Sequence, residues 1–151
     1  MIPEKVKAIL DAHGLVALEF EDGSTPTAEM AADRIGVQVG QIAKSLLFKG
    51  HSGKAVMIVC AGDRKISSSK MKQLCSEKMS MTNSDETFAL TGFRPGGVCP
   101  FGMEGIPVYL DASLQAWDVI YPAAGTNSTG VPTTFEQLRS ITGAQLCDVC
   151  S

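Results

Sequence analysis

The stretch "KAVMIVCAG" (54–62) is strongly apolar, rich in β-branched residues and of strand length, and it constrains the fold more than any other segment. "SLLFKG" (45–50) precedes it, and Gly50 to Gly53 supply turn residues, so residues 45–62 are expected to form a β-hairpin. Other strands are expected in "LVALEF" (15–20), "MSMTN" (79–83), "IPVYLDASL" (106–114) and "AWDVIYPAAG" (116–125). Helices are expected at 3–13, where Val6, Ile9, Leu10 and His13 share a face, and over "TAEMAADRIG", begun by Thr25 as cap with Pro26 in its first position and ended by Gly36. "VGQIAK" reads as a short helical turn, "KISSSKMKQLCS" as a helix, Ser84 as the cap of a further one, and "TTFEQLRSITG" as a last helix capped by Thr133 or Thr134. Strands and helices alternate irregularly and no repeat or linker is visible. The expected architecture is therefore α/β mixed (α+β): a mixed, mostly antiparallel sheet or open barrel surrounded by helices, one domain over residues 1–151.

No apolar run approaches the roughly 20 residues that span a bilayer. The amphipathic start "MIPEKVKAILDAHG" lacks the apolar segment of a signal peptide, so a cytoplasmic protein without a membrane partner is expected. The five cysteines, Cys60, Cys75, Cys99, Cys147 and Cys150, are an odd number and are expected to be reduced thiols. A net charge of −3 argues against general nucleic-acid binding, but the charge is unevenly placed. Residues 44–78 carry eight basic and two acidic groups, whereas 1–43 carry three basic and seven acidic, and 79–151 two and seven. The basic segment is either a phosphate-attracting patch or an ordinary solvated face.

Two loops and one lysine are the candidate chemistry. Lys44 sits at the start of the hairpin's first strand, where it either snorkels to solvent or lines a cleft. "GFRPGGVCPFG" (92–102) combines two prolines with four glycines, so it is either a tight surface loop or one that presents main-chain groups to an oxyanion or phosphate. "YPAAGTNSTGVP" (121–132) is a second glycine-bearing loop, a pocket wall or a plain connection.

Taken in order, "IAKSLLF", "TGFRPGGVCPFG", "IPVYLDASL" and "AAGTNSTGVPTTFEQL" resemble the YbaK/EbsC family, the free-standing aminoacyl-tRNA deacylases related to the editing insertion of bacterial prolyl-tRNA synthetases. The resemblance spans roughly residues 25–142, and the "TGF-x-PGG-x-x-PFG" block is its most specific part. It implies hydrolysis, in trans, of the ester of misacylated tRNA, of the Cys-tRNA(Pro) or Ala-tRNA(Pro) type. It also implies no metal or cofactor, and partners in the tRNA acceptor end and possible association with prolyl-tRNA synthetase. By the same resemblance Lys44 and Gly97 are the catalytic candidates. Phe20, Ser45, Gly96, Val98, Cys99, Pro100, Ala123, Ala124, Gly125, Thr126 and Asn127 are the substrate-binding ones. Departures fall at Ala123, where many relatives carry serine or glycine, at Thr126, Asn127 and Ser128, where they carry basic residues, and at Cys99.

Competing constellations are weaker. A nucleophilic Cys99 would need a base or a depressed pKa, and only His13 and His51 exist, neither in a recognisable motif, so a small lining residue is expected. "CDVC" (147–150) has redox or zinc spacing but no second ligand pair and ends the chain, so it reads as a C-terminal tail. Trp117 and Phe93 are expected to pack rather than stack on a base. A non-catalytic tRNA- or synthetase-binding module is the alternative to a deacylase.

Overall fold

A computed structural model of the chain describes residues 2–151. Its centre is a five-stranded open sheet in the order β4-β2-β3-β5-β7, built from β2 (Ala43–Gly50), β3 (Ala55–Ala61), β4 (Met79–Met81), β5 (Val108–Asp111) and β7 (Gln145–Cys147). The expected hairpin is β2–β3, antiparallel and in register from Ala43↔Ala61 to Lys49↔Ala55. β4 adds antiparallel to β2, while β5 and β7 run parallel, so the sheet is mixed; β1 (Leu18–Glu19) and β6 (Thr129–Gly130) form a separate antiparallel pair.

The apolar run that drew attention in the sequence is buried on both faces. Met57, Val59 and Ala61 of β3 join a core with Val6 and Leu10 of α1 (Glu4–Ala12), Phe93, Phe101 and Leu138 of α5 (Phe135–Thr142). Val56, Ile58 and Cys60 face the other way, against Met71 and Cys75 of α3 (Ser68–Cys75) and Cys147, Val149 and Cys150. A third cluster joins Ala31 and Ala32 of α2 (Ala28–Ile35) to Ile42, which seats α2 at the start of β2.

Several boundaries differ from expectation for identifiable reasons. Thr27, not Thr25, caps α2: its side chain accepts from Met30 N–H, and Gly36 closes the helix in the left-handed region at φ +88°. Thr25 is instead tied by its N–H to the Asn127 carbonyl. Asn83, not Ser84, caps α4 (Ser84–Thr91), in a reciprocal capping box with Glu86. Thr134 caps α5, one of the two expected candidates. "LVALEF" contributes only the two residues of β1. "AWDVIYPAAG" makes single bridges, Ile120 to Thr133 and Tyr121 to Ile42, and Pro122 has no N–H with which to extend a ladder. The C-terminal segment is no loose tail. β7 pairs with β5, Ser67 N–H donates to Val149 O, and Asp111 accepts the Val149 N–H at 2.8 Å. All five cysteines are buried and free, and no disulfide joins them.

Candidate active site

β4 pairs only with Phe48–Gly50, so the first half of β2 is a sheet edge. In β2 the even residues exchange hydrogen bonds with β3, as the Gly50–Lys54 and Ile42–Gly62 bonds at either end require, and the odd residues point outward. Ala43 N–H finds Tyr121 O and Leu47 O finds Thr82 N–H. The main-chain N–H and C=O of Ser45, between them, have no partner among the described residues. They face a cavity of about 370 Å3 lined by Ala43 to Leu47 along one side.

The remaining walls come from four places: α2 with Ala28, Ala31 and Ile35, the segment before it with Thr25 and Pro26, the β4–α4 turn with Asn83 and Ser84, and the two glycine loops with Gly96, Val98 and Ala123. The exposed lining surface is mainly apolar, interrupted by several hydroxyls, Asn83 and Lys44, a make-up that suits a small-molecule site. Among the polar groups the hydroxyls of Thr25 and Ser45 are buried and make no hydrogen bond among the described residues. Buried hydroxyls are almost always paired, so two without a protein partner beside one cavity are groups that a water or a ligand atom would satisfy.

The glycine-rich loop is pinned from beneath. Phe93, Cys99 and Phe101 insert into the core, which turns Pro95, Gly96 and Val98 toward the cavity. Gly96 has φ +86°, and a Cβ there would meet Pro26 Cα at 2.9 Å. A Cβ on Gly97 would meet Gly125 C and Thr126 N and Cα, all at 2.9 Å, so the two loops pack backbone to backbone. Gly97 itself is buried behind the lining and its N–H donates to Arg94 O at 2.9 Å. The second loop is held by Thr129 Oγ1, which accepts from Ala124 N–H and Thr126 Oγ1, and by Asn127 Oδ1, which accepts from Gly23 N–H.

Lys44 stands at the rim, half-buried, with Nζ donating to the Arg64 carbonyl at 2.8 Å. Of the residues singled out in the sequence, the structure gathers Lys44, Ser45, Gly96, Val98 and Ala123 on the cavity. Gly97, Ala124, Gly125, Thr126 and Asn127 build the loops behind it. Cys99 and Pro100 are buried behind the wall, and burial pushes the Cys99 thiol up to about 12, which removes it as a thiolate nucleophile near neutrality. Phe20 lies off the cavity, its ring under the Arg34 guanidinium. Phe93 is core and Trp117 packs against it and beside Gly40, as expected for packing residues. His13 ends α1 and His51 lies in the hairpin turn, both exposed and outside the cavity. Sequence reasoning missed Thr25 as a wall, along with Ala31 and Ile35, whereas Tyr121 belongs to the 121–132 loop, for which a pocket wall is one of the two expectations. Thr25, Ala31 and Ile35 arrive through long-range packing of α2 and the segment before it, for which local periodicity carries no signal.

Comparison with known proteins places this geometry. The family described as "Aminoacyl-tRNA editing domain" matches residues 22–141. The protein YwhH of Bacillus subtilis is 40% identical over 134 residues, covering 87% of this chain and 85% of its own. EbsC of Enterococcus faecalis, named as a candidate Cys-tRNA(Pro)/Cys-tRNA(Cys) deacylase, is 28% identical over 82% of this chain and 76% of its own. A crystal structure of a candidate trans-editing enzyme for prolyl-tRNA synthetase superposes with a TM-score of 0.87 at 32% identity, over 100% of this chain and 99% of that one.

Proposed function

The chain belongs to the aminoacyl-tRNA editing domain family, and from that membership we propose that it is a single editing domain, an aminoacyl-tRNA deacylase that works in trans on misacylated tRNA. The observation that carries the reading is the open β2 edge. It borders a cavity whose Thr25 and Ser45 hydroxyls lack partners among the described residues, beneath a main-chain wall of glycine loops. An aminoacyl ester offers what these groups need: a carbonyl, an ammonium and ribose hydroxyls.

In this reading the amino acid enters between α2 and Val98, and the ribose lies toward Lys44. Water attacks the ester carbonyl carbon, the bond to the ribose oxygen breaks, and that oxygen takes up a proton. Main-chain groups fixed in advance by Gly96 and the β2 edge stabilise the developing oxyanion, an effect worth a few kcal/mol. The tight fit of Gly97 against Gly125 and Thr126 holds that wall in place. The Lys44 ammonium neutralises negative charge on the ester or on the adjoining phosphate, and the substrate's own free ribose hydroxyl assists the water.

The cavity, about 370 Å3, is at the low end for ligand sites, and its side walls are Ala31, Ile35, Val98 and Ala123. Both features favour a small side chain, alanine or cysteine, esterified to tRNA(Pro), with prolyl-tRNA synthetase as the source of the error. The test is a panel of misacylated tRNAs assayed for release of free amino acid. Release from alanyl- or cysteinyl-tRNA(Pro) and none from prolyl-tRNA(Pro) is expected; release from none of the panel would sink the proposal. A non-catalytic tRNA-binding module is favoured by one observation: the Gly97 N–H and the Lys44 ammonium are both already engaged, by Arg94 O and Arg64 O. Binding without release across the panel would support that module instead.

A further inference from the structure

A second groove of about 530 Å3 opens on the other side of the β2 edge and shares Lys44, Leu46 and Met81 with the first cavity. The two therefore adjoin at Lys44. Four of its lining residues are basic, Lys44, Arg64, Lys65 and Lys78, and none is acidic. Arg64, Lys65 and Lys78 are exposed, and none of the four is in an ion pair among the described residues. Among the described residues Arg64 Nη1 reaches only the Ser151 oxygen, at 3.4 Å.

The two acidic side chains of the basic segment are turned aside. Glu77 accepts hydrogen bonds from the N–H and hydroxyl of Ser52 in the hairpin turn, and Asp63 Oδ2 lies beside Gly40. Neighbouring carboxylates are spent on cations outside the groove, Glu86 on Lys49 and Asp148 on Lys70. What remains is a strip of uncompensated positive charge over an apolar floor, of which Leu46 is half-buried and Met81 is 59% exposed. The hydroxyls of Ser68 and Ser80 sit along it, both on exposed residues.

We propose that this groove binds the single-stranded RNA 3′ end just upstream of the esterified nucleotide, its cations on successive phosphates and Met81 and Leu46 under a base. The inference rests on the deacylase reading for its direction. An ester held in the first cavity at the 3′-terminal ribose leaves the chain to continue through its 5′ phosphate, and the groove that begins at Lys44 lies along that path. Positive charge that tracks the backbone, with apolar contacts to the bases, is the usual way single strands are held without strict sequence readout. The groove also gathers four of the eight cations of the +6 segment, in a chain of net charge −3.

The test uses unacylated single-stranded RNA ending in CCA, titrated by fluorescence anisotropy over a range of salt. For the wild type, affinity falls with salt with a slope near −0.7 per phosphate contacted, roughly −3 for four contacts. The double reversal Lys65→Glu/Lys78→Glu is expected to weaken binding about tenfold or more and to flatten the slope by about 1.4. A control reversal of equal charge on distant helices, Lys7→Glu/Arg139→Glu, is expected to change affinity less than about twofold, and thermal melts of both variants report their folding. Equal losses in the two variants, no loss in the first, or tighter binding of a polyglutamate peptide than of RNA would each overturn the groove. The RNA carries no ester, so the readout is independent of hydrolysis. Groove-dependent binding without release from any misacylated tRNA would overturn the deacylase reading and keep the groove, and release with groove-independent binding would do the reverse.

Discussion

Lys44 is the second residue of β2, on the face that carries Leu46 and Phe48, while Ser45 beside it faces the opposite way. The alternation of a strand thus divides two neighbours between two grooves that meet at one edge. The Lys44 ammonium, parked on the Arg64 carbonyl at 2.8 Å, borders both. Replacing Lys44 with Ala removes the only cation lining the first cavity among the described residues. Single-turnover release from misacylated tRNA is expected to fall on the order of 10²-fold, the usual cost of losing one group that stabilises transition-state charge. If the ammonium acts on the ester, the loss is in the rate at saturation; if it grips phosphate, the loss is in KM. Unchanged kinetics in both would remove Lys44 from the mechanism. A residue-scale feature of the opposite kind is Asp111, 1% exposed, which accepts from Val149 N–H and Ser113 N–H. Asp111→Ala leaves both donors without that acceptor and frees the C-terminal segment, so a loss of about 2–3 kcal/mol is expected in urea unfolding. A loss under about 0.5 kcal/mol would show that the segment is held by its apolar residues alone.

At the scale of elements, the glycine loops act as a pair. Gly97→Ala would put a methyl carbon 2.9 Å from three backbone atoms of Gly125 and Thr126, which cannot rotate away as a side chain would. Overpacking of this kind costs about 1–3 kcal/mol, and here the strain falls on the wall of the cavity. Urea unfolding should show the destabilisation, and release from the mischarged panel should drop more than Gly53→Ala, in the distant hairpin turn, causes. Equal activity losses would reduce Gly97 to a structural glycine with no bearing on the site. These loops were legible in the sequence because glycine and proline spacing is local information, and so was the hairpin, because a run of apolar β-branched residues has few other fates. α2 was legible as a helix but not as a wall, since its Ala31 and Ile35 meet Ile42 only through the tertiary fold. β7 was missed because "QLC" is three residues long with two exposed, too short for a period-2 pattern, and its pairing partner β5 lies far back in the chain. The α2 cap lies two residues beyond the expected one because Thr25, Pro26 and Thr27 all suit a helix start and the Thr25 N–H is taken by the Asn127 carbonyl, while at α4 Asn83 and Ser84 both suit a cap and Asn83 holds the capping box with Glu86.

At the scale of the whole molecule, two of the three apolar clusters among the described residues share β3, and both carry buried thiols. Desolvation pushes Cys60 and Cys147 up to about 12 and Cys150 up to about 11 in the core beneath α3, and raises Cys75 there as well, while Cys99 lies at about 12 in the other. The unfolded chain would release these protons near pH 9, the ordinary value for the group. Between pH 9 and 12 the folded state therefore holds protons that the unfolded state has lost, and stability falls as pH rises through that window. Below about pH 7 the thiols contribute almost no slope. Because successive residues of β3 belong to opposite cores, exposing the thiols of one core opens the other, and the alkaline transition should be a single cooperative event. Urea midpoints measured from pH 7 to pH 11 are expected to be flat at first and then to drop steeply. Lysines also titrate at the upper end, so the thiols are isolated by comparison with Cys60→Ala/Cys147→Ala. That variant should be less stable at pH 7, having lost two buried sulfurs, yet its midpoint should fall less steeply above pH 9. An identical slope in the two proteins would mean that the alkaline limit is set at the surface, and that the cysteines serve only as small apolar packing groups.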